Sequence, residues 1–327
     1  LYIGFMYFNN TNNFFHGIVF HHFHDEGIHA RSQGSISKDE FYKLINFIGK
    51  KNILDADVFF EKFKQNKLKE NELCLTFDDG IKCQIDIALP VLEDLKIKSF
   101  FYVYTSMFEG KPDNLEVFRY FRMNYFNNVN EFYMNFYKVL NKDLDNFFKI
   151  NEGVIKNTKI KIPYYSIKDI KFRLIRDKYL KKKDYEIIMH NMMKEKNFEP
   201  KKHYSNLFFD KKDLKELDSL GHLMGLHSHN HPNLLESLSY DEQKLEYENC
   251  ISIISNIIEK PKNPIKFMSH PCGSYNNHTL EILKELGIEL GFKQIMTIEF
   301  EKGMKKINNS FLEIARQNHA EIVKRMN

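Results

Sequence analysis

The sequence predicts an α/β protein, a distorted (β/α) barrel of about seven parallel strands with a helical insertion. Three observations carry this expectation. Seven short apolar or aromatic runs recur along the chain, amphipathic segments of helical period lie between them, and one long stretch breaks the alternation.

The runs are HGIVFHHF (16–23), ELCLTFD (72–78), KSFFYVY (98–104), LMGLHS (223–228), IKFMSH (265–270), IELGFKQ (288–294) and FLEIARQ (311–317). Most are nearly continuous in apolar residues, as parallel strands covered on both faces are. After the first, KDEFYKLINFIGK sets Phe41, Leu44, Ile45 and Ile48 at helical spacing. After the fourth, SYDEQKLEYENCISIISNIIEK opens on Ser239 with Glu242 three residues later, the spacing of a capping box. The segment TLEILKELG (279–287) closes on Gly287, a helix stop ahead of a strand. These segments read as the outer helices of a barrel.

From 109 to 212 no parallel-strand run appears. This stretch holds the aromatic-rich VFRYFRMNYFNNVNEFYMNFYKVL and the KKK run at 181–183. The expected organisation is a barrel built from 1–108 and 213–327, with 109–212 as a mostly helical insertion beside its mouth. The aromatics read as packing between helices and the lysine run as a solvated face.

Composition narrows the function classes. With 327 residues, 43% hydrophobic and 28% charged, the chain fits a globular protein with one large core and an insertion, not a disordered or fibrous one. A formal charge of +4, from 48 basic and 44 acidic residues, is too small an excess to predict nucleic-acid binding by phosphate neutralisation. No apolar run approaches the ~18 residues that cross a bilayer. The opening LYIGFMYFNN lacks the basic, apolar and small-residue regions of a leader, so a cytoplasmic location is expected, with Met6 a candidate start. Cys74, Cys83, Cys250 and Cys272 show no CxxC spacing and are expected to be free thiols. Nothing in the sequence addresses the oligomeric state.

Chemistry-capable residues gather where the apolar runs end, and in parallel α/β barrels the carboxyl ends of the strands converge on the active site. The first run ends in His21, His22, His24 and Asp25, the second in Asp78 and Asp79, the fourth in His227, His229 and His231, the fifth in His270, and the last in Arg316 with His319 beyond. Successive strand side chains point to opposite sides, so Asp78 and Asp79 can take two roles from one place, although Asp-Asp-Gly is also a natural turn. Pro232 disfavours the α conformation at His231, which makes HSHNH a loop at a strand end. Two imidazoles and one carboxylate form the three-ligand set of a catalytic zinc. In an extended segment His229 points away from its neighbours and stays outside that set.

The motifs LTFDDG (75–80), GHLMGLHSHNHPNL (221–234) and HPCGSYN (270–276), in this order, resemble the three leading motifs of the NodB-type polysaccharide deacetylases. The histidine motif is the most specific, matching H-S/T-x-x-H-P with its upstream Gly-His. The resemblance spans roughly 70–105 and 215 to the C-terminus, and leaves out most of the insertion. It implies a TIM-related barrel that hydrolyses an N-acetyl group on a polysaccharide, lipid-linked or nucleotide-linked sugar and releases acetate. It further implies a divalent metal, zinc or in some members cobalt or nickel, held by Asp79, His227 and His231, with Asp78 as general base. The turn His270, Pro271, Cys272 and Gly273 is implied to bind substrate, with the Cys272 N–H an oxyanion donor.

The chain departs from the pattern in two places. The third motif often opens with an arginine that orients the base, and here Ser269 stands there; Arg316 is the residue placed to supply that charge. The late Leu-x-His acid motif is not evident and there is no Trp for a groove wall. Poly-N-acetylglucosamine deacetylases, which the N-terminus resembles, use a first-strand histidine as the acid, and His21 matches it, with His319 in reserve. Three rivals remain: a deformylase or other amide hydrolase on the same scaffold, a barrel that binds carbohydrate without turnover, and a metal site that is purely structural.

Overall fold

The computed structural model describes residues 16–69, 71–161, 165–260, 265–296, 299–301, 304–306 and 308–326. The start-site and leader readings on 1–15 fall outside them. The chain groups into two compact units: one takes residues up to Asp25, Ile36–Asp113 and those from Phe208 onward, the other Glu26–Ser35 and Asn114–Leu207. The strand and helix rhythm gives no sign that 26–35 belongs to the second unit.

The strands are β1 (His16–Phe20), β2 (Leu73–Phe77), β3 (Phe100–Val103), β4 (Leu223–Leu226), β5 (Phe267–Ser269), β6 (Leu290–Phe292), β7 (Glu299–Glu301), β8 (Met304–Lys306) and β9 (Arg316–Asn318). Seven of them form one sheet in the order β6-β5-β4-β3-β2-β1-β9, with every pairing parallel. Each apolar run of the sequence supplies one. The sheet is nearly closed into a barrel by a bridge between Phe292 and Ile314, where Lys293 N–H donates to Ile314 O at 2.8 Å and Ile314 N–H to Gly291 O at 2.9 Å. Gly291 permits this approach, since a Cβ there would lie 2.7 Å from Leu312 O. The antiparallel pair β7 and β8, with Glu299 opposite Lys306, was not expected from the apolar pattern.

Aromatic residues line both faces of the sheet. On the face toward Phe41, Phe77 stacks on Phe20 (5.2 Å) and on Phe101 (4.6 Å), and on the other Phe59, Phe100 and Phe292 cluster with Leu290 and Ile314. The outer helices form where capping and periodicity place them. Lys38–Ile48 starts from a Ser37/Glu40 capping box and buries Phe41, Leu44, Ile45 and Ile48. Tyr240–Ile257 starts from the Ser239/Glu242 box. A single π-helical turn at Gln84–Ala88 buries Gln84, whose amide donates to His21 O (3.0 Å) and Asp78 O (2.7 Å) and so ties the ends of β1 and β2 together.

The second unit is helical. Phe132, Phe136 and Phe172 pack between Val129–Leu140 and Ile167–Leu174, and Asp169 lies buried beneath Tyr133 Oη (2.7 Å) and Arg173 Nε (2.5 Å). Lys181, Lys182 and Lys183 are exposed. All four cysteines are free thiols.

Candidate active site

The carboxyl ends of β2 and β4 and the first residue of β9 bring four of the expected residues to one place. β2 runs straight into Asp78 and Asp79, β4 into His227, and β9 opens with Arg316. Asp78 and Arg316 are fully buried and form a bidentate pair, with Arg316 Nη1 donating to Asp78 Oδ1 (2.7 Å) and Nη2 to Oδ2 (2.6 Å). Ser269, where the family pattern has an arginine, donates its Oγ–H to Asp78 Oδ2 (3.0 Å) and accepts from Arg316 Nη2 (2.8 Å). The guanidinium is anchored by Nε donating to Lys293 O (2.6 Å). A carboxylate oxygen has two lone pairs. Oδ2 uses both and Oδ1 only one, so Oδ1 keeps a lone pair for a further proton. Burial works against an ionised Asp78, but Arg316 and then His227 outweigh it and hold its carboxyl below the usual aspartate range.

Asp79, His227 and His231 stand beside this pair. Among the described residues they are the one group of three such side chains whose ligand atoms all lie within 4.8 Å of one another. His227 Nε2 is 3.1 Å and His231 Nε2 3.4 Å from Asp79 Oδ1. Each ring is oriented from behind: His227 Nδ1 is 2.9 Å from Ser269 O, and His231 Nδ1 is 2.9 Å from Asp113 Oδ2. Both outer contacts are acceptors, so each Nδ1 keeps its proton turned outward, and each Nε2 faces Asp79 Oδ1 as the atom that takes a proton or a metal ion there. Burial opposes the charge on Asp79, yet the two imidazoles hold its carboxyl well below the usual range. His231 is pushed down by burial and more strongly up by Cys272, Asp113 and Asp79, and ends well above an ordinary histidine. Three inward-facing acceptors with this charge preference fit a divalent cation of the zinc class.

The backbone is strained where it presents these groups. Asp79 (φ 74), Ser228 (φ 65), His231 (φ 53) and Cys272 (φ 53) are non-glycine residues in the left-handed region. Such residues persist only where their surroundings over-determine them. Here Glu246 accepts from His229 N–H (2.9 Å) and from Asn230 N–H (2.7 Å), and Ser228 Oγ accepts from His231 N–H (3.1 Å).

The other candidates are placed as follows. His21 lies at the rim with Nε2 4.0 Å from Asp79 Oδ2. His229 turns away toward Thr105 Oγ1 (2.9 Å). His319 is buried, with its Nδ1 donating to Val19 O (3.0 Å) and its ring stacked on Phe20, so it has no face for a substrate and its reserve role as acid is withdrawn. His270 departs from the substrate-binding expectation in the same way: it is fully buried, bonded to Leu312 O at 2.9 Å and stacked 4.0 Å from Tyr275, and burial drives its pKa down to about 3. It supports the turn from beneath. Pro271 is buried too, whereas Cys272 and Gly273 are partly exposed, and Cys272 Sγ is 4.0 Å from His231 Nε2. Asp113 and Glu246 carry no motif signal in the sequence; each reaches the site by tertiary packing.

The polysaccharide deacetylase family model matches residues 65–128 and 177–291, more than half of the chain. Comparison with curated proteins finds no match. Among solved structures, the chain is similar to the Streptococcus pyogenes deacetylase PplD in complex with acetate (TM-score 0.54, 16% identity, covering 96% of this chain and 98% of that one). It is also similar to IcaB from Ammonifex degensii (0.55, 12%, 96% and 97%) and to a de-N-acetylase from Aggregatibacter actinomycetemcomitans (0.53, 12%, 96% and 99%). At these identities the likeness is one of fold. The chain belongs to the polysaccharide deacetylase family, hydrolases that act on the amide bonds of N-acetyl sugars.

Proposed function

We propose that this chain is a metal-dependent sugar N-deacetylase in which Asp79, His227 and His231 hold a divalent ion, zinc by preference, with Asp78 as the base. The observation that carries this reading is the convergence of three acceptor atoms next to a carboxylate clamped by Arg316. A divalent ion supplies the Lewis acidity that brings water within reach of a carboxylate as weakly basic as Asp78.

The chain's own groups then divide the work. Asp78 Oδ1 takes the proton of the attacking water, while Arg316 and Ser269 fix the carboxylate and keep it ionised. The oxyanion that forms on the amide is met by the Cys272 N–H on the strained turn, a contact of a kind worth ~3 kcal/mol. His21, at the rim, protonates the departing amine. Glu246 and Asp113 act through the histidine loop and touch no substrate.

Metal content by elemental mass spectrometry tests the reading without a guess about the sugar. Purified wild type is expected to carry about one divalent ion per chain, and His227→Ala/His231→Ala to lose it while remaining folded, because so large a barrel core does not depend on the ion. A wild type that takes up no metal after incubation with zinc or cobalt would overturn the proposal.

For His21→Ala, turnover of an N-acetylated oligosaccharide is expected to fall ~100-fold with metal content unchanged. A normal rate would remove His21 from the mechanism. Scoring acetate against formate release on the same panel separates deacetylation from deformylation.

A further inference from the structure

The charge of the chain is unevenly divided. Residues 114–207 carry 20 Lys and Arg against 11 Asp and Glu, a formal +9, so the remainder sums to −5 within a total of +4. A block of one sign on one unit, hidden in a near-neutral total, is an electrostatic footprint for an anionic partner.

The same unit exposes aliphatic side chains among its lysines. Helices Asp145–Ile150, Glu152–Lys161 and Ile167–Leu174 share a small core of Ile155, Ile170 and Leu174, with Phe147 and Phe148 packed against it. Facing outward from that core are Ile150 (74% exposed), Ile160 (65%) and Ile167 (45%). Beside them in sequence stand Lys149, Lys159 and Lys168. The same unit holds a cleft of about 440 Å³, walled by Tyr137, Leu144 and Phe148 and bordered by Lys142, Lys168 and Lys171. Lys171 Nζ lies 4.5 Å above the Phe148 ring, so the charge is held over an aromatic wall. Asp143 and Asp145 also border the cleft, and the charge argument therefore rests on the whole unit more than on this opening.

Isolated exposed aliphatics are ordinary, but here three project from one three-helix core inside the basic block. A soluble polyanion has no use for isoleucine, whereas the headgroup region of a bilayer rewards apolar insertion and positive charge together.

We propose that the helical unit is a docking surface for an anionic phospholipid bilayer, with the lysines on the headgroup phosphates and Ile150, Ile160 and Ile167 in the interfacial layer. This inference does not depend on the deacetylase chemistry.

Co-sedimentation of the full chain with phosphatidylcholine vesicles, with and without phosphatidylglycerol, tests it. Binding is expected only when phosphatidylglycerol is present, and is expected to weaken as salt is raised. In Lys142→Glu/Lys168→Glu/Lys171→Glu, vesicle affinity is expected to drop at least ~100-fold with the melting temperature kept. Ile150→Asn/Ile160→Asn is expected to lose vesicle binding and to keep whatever retention the wild type shows on heparin. Equal binding to both vesicle types, retention on heparin or duplex DNA without vesicle binding, or no binding to any of them would each overturn the proposal.

Discussion

Asp78→Asn is expected to cut turnover ~10³-fold or more while the protein keeps its metal. The number follows from the loss of a positioned general base, which contributes 10² to 10⁴. The metal prediction follows from geometry, because the three convergent ligand atoms belong to Asp79, His227 and His231 and none to Asp78. The substitution is nearly isosteric, but it sets an amide NH₂ against one of the two Arg316 donors that now reach Asp78 at 2.7 and 2.6 Å. A buried guanidinium left without its counter-charge costs ~3–5 kcal/mol. The assay must therefore be paired with a melting curve, and turnover measured well below the variant's midpoint. Full activity in folded Asp78→Asn would sink the mechanism; loss of metal would show that Asp78 belongs to the ligand set.

Much of this arrangement is legible in the order of residues. The seven barrel strands are fully buried or nearly so, and a buried parallel strand has to be a short apolar run, which is why 16–23 through 311–317 could be read one by one. Their polar ends stand out because water-seeking side chains at the end of an apolar run need a reason to be there. Arg316 belongs to this class: it sits on the last strand, and parallel pairing of β9 with β1 sets it opposite Gly17, facing Asp78.

What sequence order does not show is pairing across distance. Asp113 supports His231 from 118 residues away, and a lone aspartate in a loop has no periodicity to mark it. Glu246 looks like any helical glutamate until its carboxylate is found gripping residues 229 and 230. His270 misleads for the opposite reason. It stands in a motif that reads as a binding turn, yet burial and the bond to Leu312 O make it part of the wall behind that turn. The glycine that lets the barrel close, Gly291, is likewise visible only once Leu312 O is seen to approach it.

Arg316→Met should be the most destabilising single change in the barrel, by ~3–5 kcal/mol, since it strands a buried carboxylate and also loses the bond from Nε to Lys293 O. Methionine is chosen because it is close to arginine in length and leaves little void. The pH dependence identifies the cause. In the wild type the Asp78 carboxyl is held below its ordinary value of 3.8, so the stability gained from the pair is fully present above that value. It is lost only as pH falls through the lower, folded-state value. In the variant, burial acts unopposed by Arg316 and raises the carboxyl, so protonation there relieves the strain as pH falls. The gap between wild type and variant, read from denaturant unfolding across a pH series, is therefore expected to be widest near neutrality and to narrow on acidification. A gap that stays constant with pH would assign the loss to packing and not to charge. Arg316→Lys separates the two further: it keeps the charge but cannot make the bidentate contact, and should recover part of the stability and less of the turnover. Recovery of both to wild-type levels would mean that the fork geometry around Asp78 is dispensable, and with it the claim that Arg316 aims the base.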